Sequence, residues 1–197
     1  TIRALRHHGG AKSEDYNTPS LEKVKDGFKN LEKHIENIRK FNIEPVVAVN
    51  AFTSDSKEEI DFVVKKCASM GVTAVLSKGW EKGGEGTTDL AKAVVEVVEH
   101  KASTYKPLYD WKSPIKDKIE VIAKEIYGAI NVEYSKQAQL NLRRIDRLGF
   151  NDFAVCMAKT QKSFSDNDAL IGRPENFTVT VREIEIASGA QFVIPIL

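Results

Sequence analysis

Chemistry in this sequence is best sought where aromatic, glycine and lysine residues gather outside any apolar pattern. The stretch from residue 76 to residue 88 reads LSKGWEKGGEGTT. It follows a short apolar run and precedes a helical pattern, so Trp80 is expected on a loop rather than in a core. Phe52 stands in a similar place, a few residues past an earlier valine-rich run. Two aromatics on neighbouring loops can clamp a flat ligand between their faces, or each ring can simply cover the top of a sheet; the residues alone leave both readings open. Gly79, Gly83, Gly84 and Gly86 do not form a phosphate loop, because no Lys-Ser/Thr pair closes the run, although the helix that Thr87 and Thr88 open leaves weak anion binding by its free N–H groups open.

Other reactive residue types are sparse. His7 and His8 precede Gly9 and Gly10 and read as ligands or a proton relay, or as a turn with two half-exposed imidazoles. Without Cβ atoms, Gly9 and Gly10 let the backbone turn sharply or approach a ligand. Cys67 and Cys156 sit in apolar patterns and are expected to be buried free thiols of a reducing compartment. Two cysteines and four histidines show no metal-ligand spacing, and no nucleophile–base pair stands out, so no catalytic residue and no metal site is assigned.

The elements that would position these residues follow from periodicity. Residues 1–6 read as the end of a strand, and residues 7–17 as a polar loop. Thr18 and Pro19 open a long helix whose apolar face is Leu21, Val24, Phe28, Leu31, Ile35 and Ile38, with Gly27 marking a bend. Residues 43–50 form a strand buried on both faces. Ser54 or Asp55 caps the next helix, with Ile60, Val63, Val64 and Cys67 inside and Gly71 at its end. Residues 72–76 form a second, parallel strand, and residues 88–101 a helix with Leu90, Ala93, Val94, Val97 and Val98 inward. This strand–helix–strand–helix order is a parallel-sheet β-α-β unit, in which ligands bind at the carboxyl ends of the strands.

The unpatterned residues 101–111 separate this α/β domain (1–104), which carries the ligand loops, from a smaller C-terminal α/β (α+β) domain (105–197). There, helices are expected from Ser113 to Tyr127 and from Ser135 to Leu148, each closed by a glycine, Gly128 and Gly149. Strands are expected at 153–158, 177–187 and 191–196, with a donor-rich polar loop at 159–168 carrying Phe164.

Several segments together carry a family likeness. IRALRHHGG (2–10), LEKHIEN (31–37), VNAF (49–52), KGGEG (82–86), AKEIYG (123–128), VCMAKTQ (155–161), SFSD (163–166) and FTVTVRE (177–183) closely resemble, in this order, the C-terminal part of formate–tetrahydrofolate ligase. The resemblance implies a reaction in which ATP, with magnesium, phosphorylates formate and the mixed anhydride passes its formyl group to N10 of tetrahydrofolate. It implies that the pterin stacks between Phe52 and Trp80 with Leu76 beneath, and that the backbone of Gly9 and Gly10 lines the phosphate or formyl site. Thr53 departs from the proline that usually follows the phenylalanine in this family.

The family's phosphate loop and formate-activating residues have no counterpart here, so the expectation is a fragment that is inactive alone and works with a missing N-terminal nucleotide-binding part. The resemblance also implies a cytoplasmic protein and a homo-oligomer acting on small molecules. The alternative is a stand-alone folate-binding or structural and oligomerisation module without catalysis. A net charge of +1 and the absence of an apolar run near ~20 residues argue against nucleic-acid and membrane partners. No signal peptide is read at the N-terminus.

Overall fold

The computed structural model describes residues 1–157 and 164–197. They form an α/β protein of two compact units, Thr1–Lys106 and Pro107–Leu197.

The first unit begins with a helix, α1 (Ile2–His8), where a strand end was expected. The Thr1 hydroxyl caps it by accepting from the Ala4 N–H at 3.1 Å, and Ile2, Leu5 and Arg6 fall on one buried face at helical spacing. His7 and His8 therefore close a helix rather than open a loop. The long helix α2 (Leu21–Arg39) is capped by Ser20, two residues past the expected Thr18. Its inner face is Val24, Phe28 and Ile35, with Ile38 left exposed at the far end.

Gly27 is the point where α2 crosses α1. A Cβ there would lie 1.9 Å from the Leu5 carbonyl oxygen of α1, and one at Gly9 would lie 1.9 Å from the Lys23 carbonyl oxygen. The two glycines let the backbones of α1 and α2 touch. Gly27→Ala is expected to cost about 2–3 kcal/mol through this overlap, even after the roughly 1 kcal/mol that alanine gains in helix propensity. Urea unfolding followed at Trp80 measures it; a change within 0.5 kcal/mol, roughly the scatter of neutral surface substitutions, would refute the crossing argument.

Strands β1 (Val46–Asn50) and β2 (Thr73–Ser77) pair in parallel, from Val46 opposite Thr73 to Asn50 opposite Ser77. Between them runs α3 (Lys57–Ser69), so the expected β-α-β unit is present. β1 is only partly covered, with Ala48 exposed, rather than buried on both faces. The cap of α3 is Ser56, not Ser54 or Asp55: its hydroxyl accepts from the Glu59 N–H while the Glu59 carboxylate accepts from the Ser56 N–H, a reciprocal capping box. Trp80 lies on a one-turn helix, α4 (Gly79–Lys82), where a loop was expected. Helix α5 (Thr88–His100) follows, and its valine face is less covered than its pattern implies. Val94 and Val98 are exposed, because within this unit α5 leans on β2 and β1 only along one side.

The core of the first unit gathers Ile2, Leu5, Val24, Phe28, Ile35, Val49, Val63, Cys67 and Val72. Burial raises the Cys67 thiol to about 11, which keeps it a neutral, unreactive core group.

The second unit contains α6 (Ile115–Ile122), which passes into a π-helical turn at Ala123–Tyr127 and ends at Gly128 with φ +83°. Strand β3 (Asn131–Tyr134) follows, then α7 (Lys136–Leu148), capped by Ser135 and closed by Gly149 at φ +72°. Next come β4 (Ala154–Val155), β5 (Thr178–Val181), β6 (Glu183–Ala187) and β7 (Phe192–Ile196). β3 pairs with β5 in parallel; β7 lies between β4, parallel, and β6, antiparallel.

The single strand expected over 177–187 is thus two, divided at Arg182 between different sheets, and β3 is too short and too polar to show in the sequence. Among the described residues of the expected strand at 153–158, pairing is seen at Ala154 and Val155. Cys156 is exposed, against the expectation of burial. Residues 158–163, which include much of the polar loop, lie outside the described residues; at its described end Phe164 is buried in the core rather than solvated.

Lys118 is fully buried in this unit, and its ammonium donates to the carbonyls of Trp111, Asn151 and Phe153 at 2.6, 2.6 and 3.0 Å. Burial lowers its pKa, opposed by Asp152 and Asp110. The three carbonyls give the charge the partners that its position requires.

Candidate functional site

The parallel pairing of β1 and β2 brings their carboxyl ends to one edge, and the Ala51 N–H extends the ladder by donating to the Ser77 carbonyl at 3.0 Å. The Phe52 turn and the Trp80 helix both leave from this edge. Their rings meet: the centroids are 5.7 Å apart and the planes are inclined at 47°. Both aromatics singled out in the sequence therefore belong to one place. A flat ligand held between two rings needs about 7 Å, two contact distances of about 3.5 Å each. The rings here touch one another instead.

The two walls are held differently. Phe52 is half-buried in a tight turn: the Asp55 N–H donates to the Phe52 carbonyl at 3.0 Å, and the Phe52 N–H donates to Asp55 Oδ2 at 2.9 Å. Trp80 is 65% exposed. Its segment is closed at the base, where the Lys78 N–H donates to the Gly86 carbonyl at 2.9 Å. A Cβ at Gly86 would lie 2.4 Å from the Lys78 oxygen, so only glycine fits there. At the tip, Gly83 adopts φ +57° and ψ −140°, a glycine-only conformation, and neither it nor Gly84 has a neighbour within 4 Å of a would-be Cβ. Leu76, on β2, is half-buried and packs against the core of its unit.

Several N–H groups of the glycine run are engaged within the run itself. The N–H groups of Gly83, Gly86 and Thr87 donate to the carbonyls of Gly79, Gly83 and Gly84, and the Thr87 and Thr88 hydroxyls to those of Gly84 and Glu85.

Gly9 and Gly10 end α1. Packing on α2 accounts for glycine at position 9, and φ +83° accounts for it at position 10. Beside them His7 Nδ1 is hydrogen-bonded to the Tyr16 hydroxyl at 2.6 Å, the His8 ring lies 5.0 Å from His7, and the Arg3 guanidinium stands over the Tyr16 ring at 5.6 Å. Among the described residues no group of three or more His, Cys, Asp or Glu could hold a metal ion.

The sequence reading missed a buried charged cluster. Arg6 and Glu59 have no exposed side-chain surface and make two parallel bonds, Nε to Oε1 at 2.8 Å and Nη2 to Oε2 at 2.7 Å. Glu59 also accepts from the Ser20 N–H at 2.8 Å and from the Ser56 hydroxyl at 2.8 Å. Burial would raise the Glu59 pKa, but these donors, Arg6 foremost, outweigh it and hold the carboxyl at about 2. Arg6 further donates to the carbonyls of Tyr16 at 2.9 Å and Ser54 at 3.1 Å. The Ser56-x-x-Glu59 spacing ahead of an apolar helix face was the available signal for half of this cluster.

The family model for formate–tetrahydrofolate ligase matches this chain over residues 1–197.

Proposed function

The chain belongs to the formate–tetrahydrofolate ligase family, and from that membership we propose that it supplies the pterin-binding clamp of an ATP-dependent ligase joining formate to tetrahydrofolate to give 10-formyltetrahydrofolate. The observation that carries this reading is the meeting of Phe52 and Trp80 at the carboxyl edge of two paired parallel strands. In it the rings part to take the pterin face to face, with Leu76 as the floor below. The backbone of Gly9 and Gly10, beside the cationic side chains of α1, lines the phosphate or formyl site.

Phosphorylation of formate by ATP belongs, in this reading, to an N-terminal nucleotide-binding part that this chain works with. Among the described residues no group of acidic, His or Cys side chains fits a magnesium ion. The parent enzyme is a cytoplasmic homo-oligomer in this proposal. Among the described residues no helix is long and apolar enough to cross a membrane.

A second reading, folate binding without catalysis or a structural and oligomerisation module, is favoured by one observation: both rings stand on a unit with its own hydrophobic core. Incubating the chain with ATP, magnesium, formate and tetrahydrofolate is expected to yield no 10-formyltetrahydrofolate. Titration with tetrahydrofolate is expected to quench tryptophan emission. Turnover by the chain alone would overturn the division of labour, and no quenching at about millimolar ligand, the weak end of specific affinities, would overturn the clamp.

A further inference from the structure

The turn that carries Phe52 is held from inside the unit. The Asp55 side chain is fully buried, and its two oxygens do different work. Oδ2 accepts the Phe52 N–H at 2.9 Å. Oδ1 has no hydrogen-bond partner and faces Nη2 of Arg6 at 3.5 Å. That same nitrogen donates to the Ser54 carbonyl at 3.1 Å, so Arg6 grips the turn at Ser54 and through Asp55 together. Arg6 is itself fixed by Glu59, which joins the start of α3 to the start of α2 through Ser56 and Ser20.

A buried charge this well partnered has one low-energy arrangement, and the backbone leaving β1 takes its direction from it. The described hydrogen bonds of Asp55 lie within its turn, while its charge faces Arg6 and the Thr1 ammonium. Trp80, whose ring meets that of Phe52, is 65% exposed and has no comparable buried anchor among the described residues.

We propose that Asp55, backed by Arg6, is a positioning residue for pterin binding: it fixes Phe52 as the still wall of the clamp, against which Trp80 moves. This rests on the clamp reading of Phe52 and Trp80. The pairing is economical for a stacking site. One preset ring lowers the ordering cost of binding, while the other provides access.

The test uses the full chain with Trp111→Phe, which leaves Trp80 as its one tryptophan. Near-ultraviolet circular dichroism without ligand reads the ring contact, with Phe52→Ala as the variant that removes it. Asp55→Ala is expected to lose most of the Trp80 band and to raise the tetrahydrofolate Kd about tenfold, the effect of one lost charge-assisted hydrogen bond. Asp55→Asn keeps an acceptor for the Phe52 N–H, and is expected to retain the band and bind within about threefold of the parent. The Phe52 amide is expected to be protected from hydrogen exchange in the parent chain.

An unchanged band in Asp55→Ala, an Asn variant as impaired as the Ala variant, or a freely exchanging Phe52 amide would each overturn the proposal. The exchange measurement decides it even where Asp55→Ala does not fold. A parent chain that keeps the ring band yet binds no tetrahydrofolate would remove the clamp reading, and pterin positioning with it. In that case the dichroism and exchange data would still report whether Asp55 orients Phe52, so the two failures are separable.

Discussion

Trp80→Ala is expected to weaken tetrahydrofolate binding by about 1–3 kcal/mol, roughly 5- to 150-fold, the range measured when an aromatic platform is removed from beneath a stacked heterocycle. The indole is 65% exposed, so its loss leaves the fold nearly untouched. Exposed substitutions of this kind move stability by about 0.5 kcal/mol or less. Binding and folding therefore separate cleanly in this variant. Calorimetric titration measures the affinity, since the fluorescent reporter is itself removed, and the thermal midpoint checks the fold. Trp80→Phe keeps a smaller ring and is expected to fall between. An affinity within twofold of the parent, roughly the error of such measurements, would exclude Trp80 as a wall of the site.

Arg6→Ala is expected to be the most damaging change in the first unit, at about 3–5 kcal/mol, because it leaves the Glu59 carboxylate buried without its counter-charge. Trp80 reports on the first unit, so a variant with Trp80 as its one tryptophan should show that unit's transition moving to lower urea. The same pair predicts acid sensitivity. Glu59 titrates at about 2 in the folded chain against an ordinary value of 4.5, so its contribution is present above about pH 5 and lost as pH falls toward 2. That contribution is about 3 kcal/mol. Between pH 7 and pH 3 the parent is expected to lose more stability at the Trp80 reporter than Glu59→Gln does. Equal losses in both would show that Glu59 is not the group responsible.

The outline of the first unit was legible because its signals are periodic. Valine-rich runs gave β1 and β2, and the apolar faces of α2 and α3 gave the helix between the strands and the one before them. The placement of Phe52 and Trp80 followed from topology, since loops after paired parallel strands share an edge. What stayed hidden depended on contacts distant in sequence. Arg6 interrupts the apolar spacing of α1, so the segment passed for a strand end; Glu59, 53 residues away, together with Asp55 and the carbonyls of Tyr16 and Ser54, makes a buried arginine tolerable there. Gly27 reads as a weak point in a helix until α1 is seen lying against it. In the second unit, β3 is four residues long, too short for any period to register, and β4 fills two residues of the strand read at 153–158. The break at Arg182 reflects a change of sheet, which alternation along one chain segment does not encode.

The contact between Phe52 and Trp80 also sets a kinetic expectation. With the ring centroids 5.7 Å apart, the clamp reading requires the rings to part before a pterin is held between them. The apparent affinity is then the intrinsic affinity reduced by the fraction of chains with parted rings. Where parting precedes entry, the observed association rate is expected to level off at high ligand concentration, at the frequency with which the rings part. On the clamp reading, capture is then expected to be limited by the parting of the two rings rather than by the supply of folate.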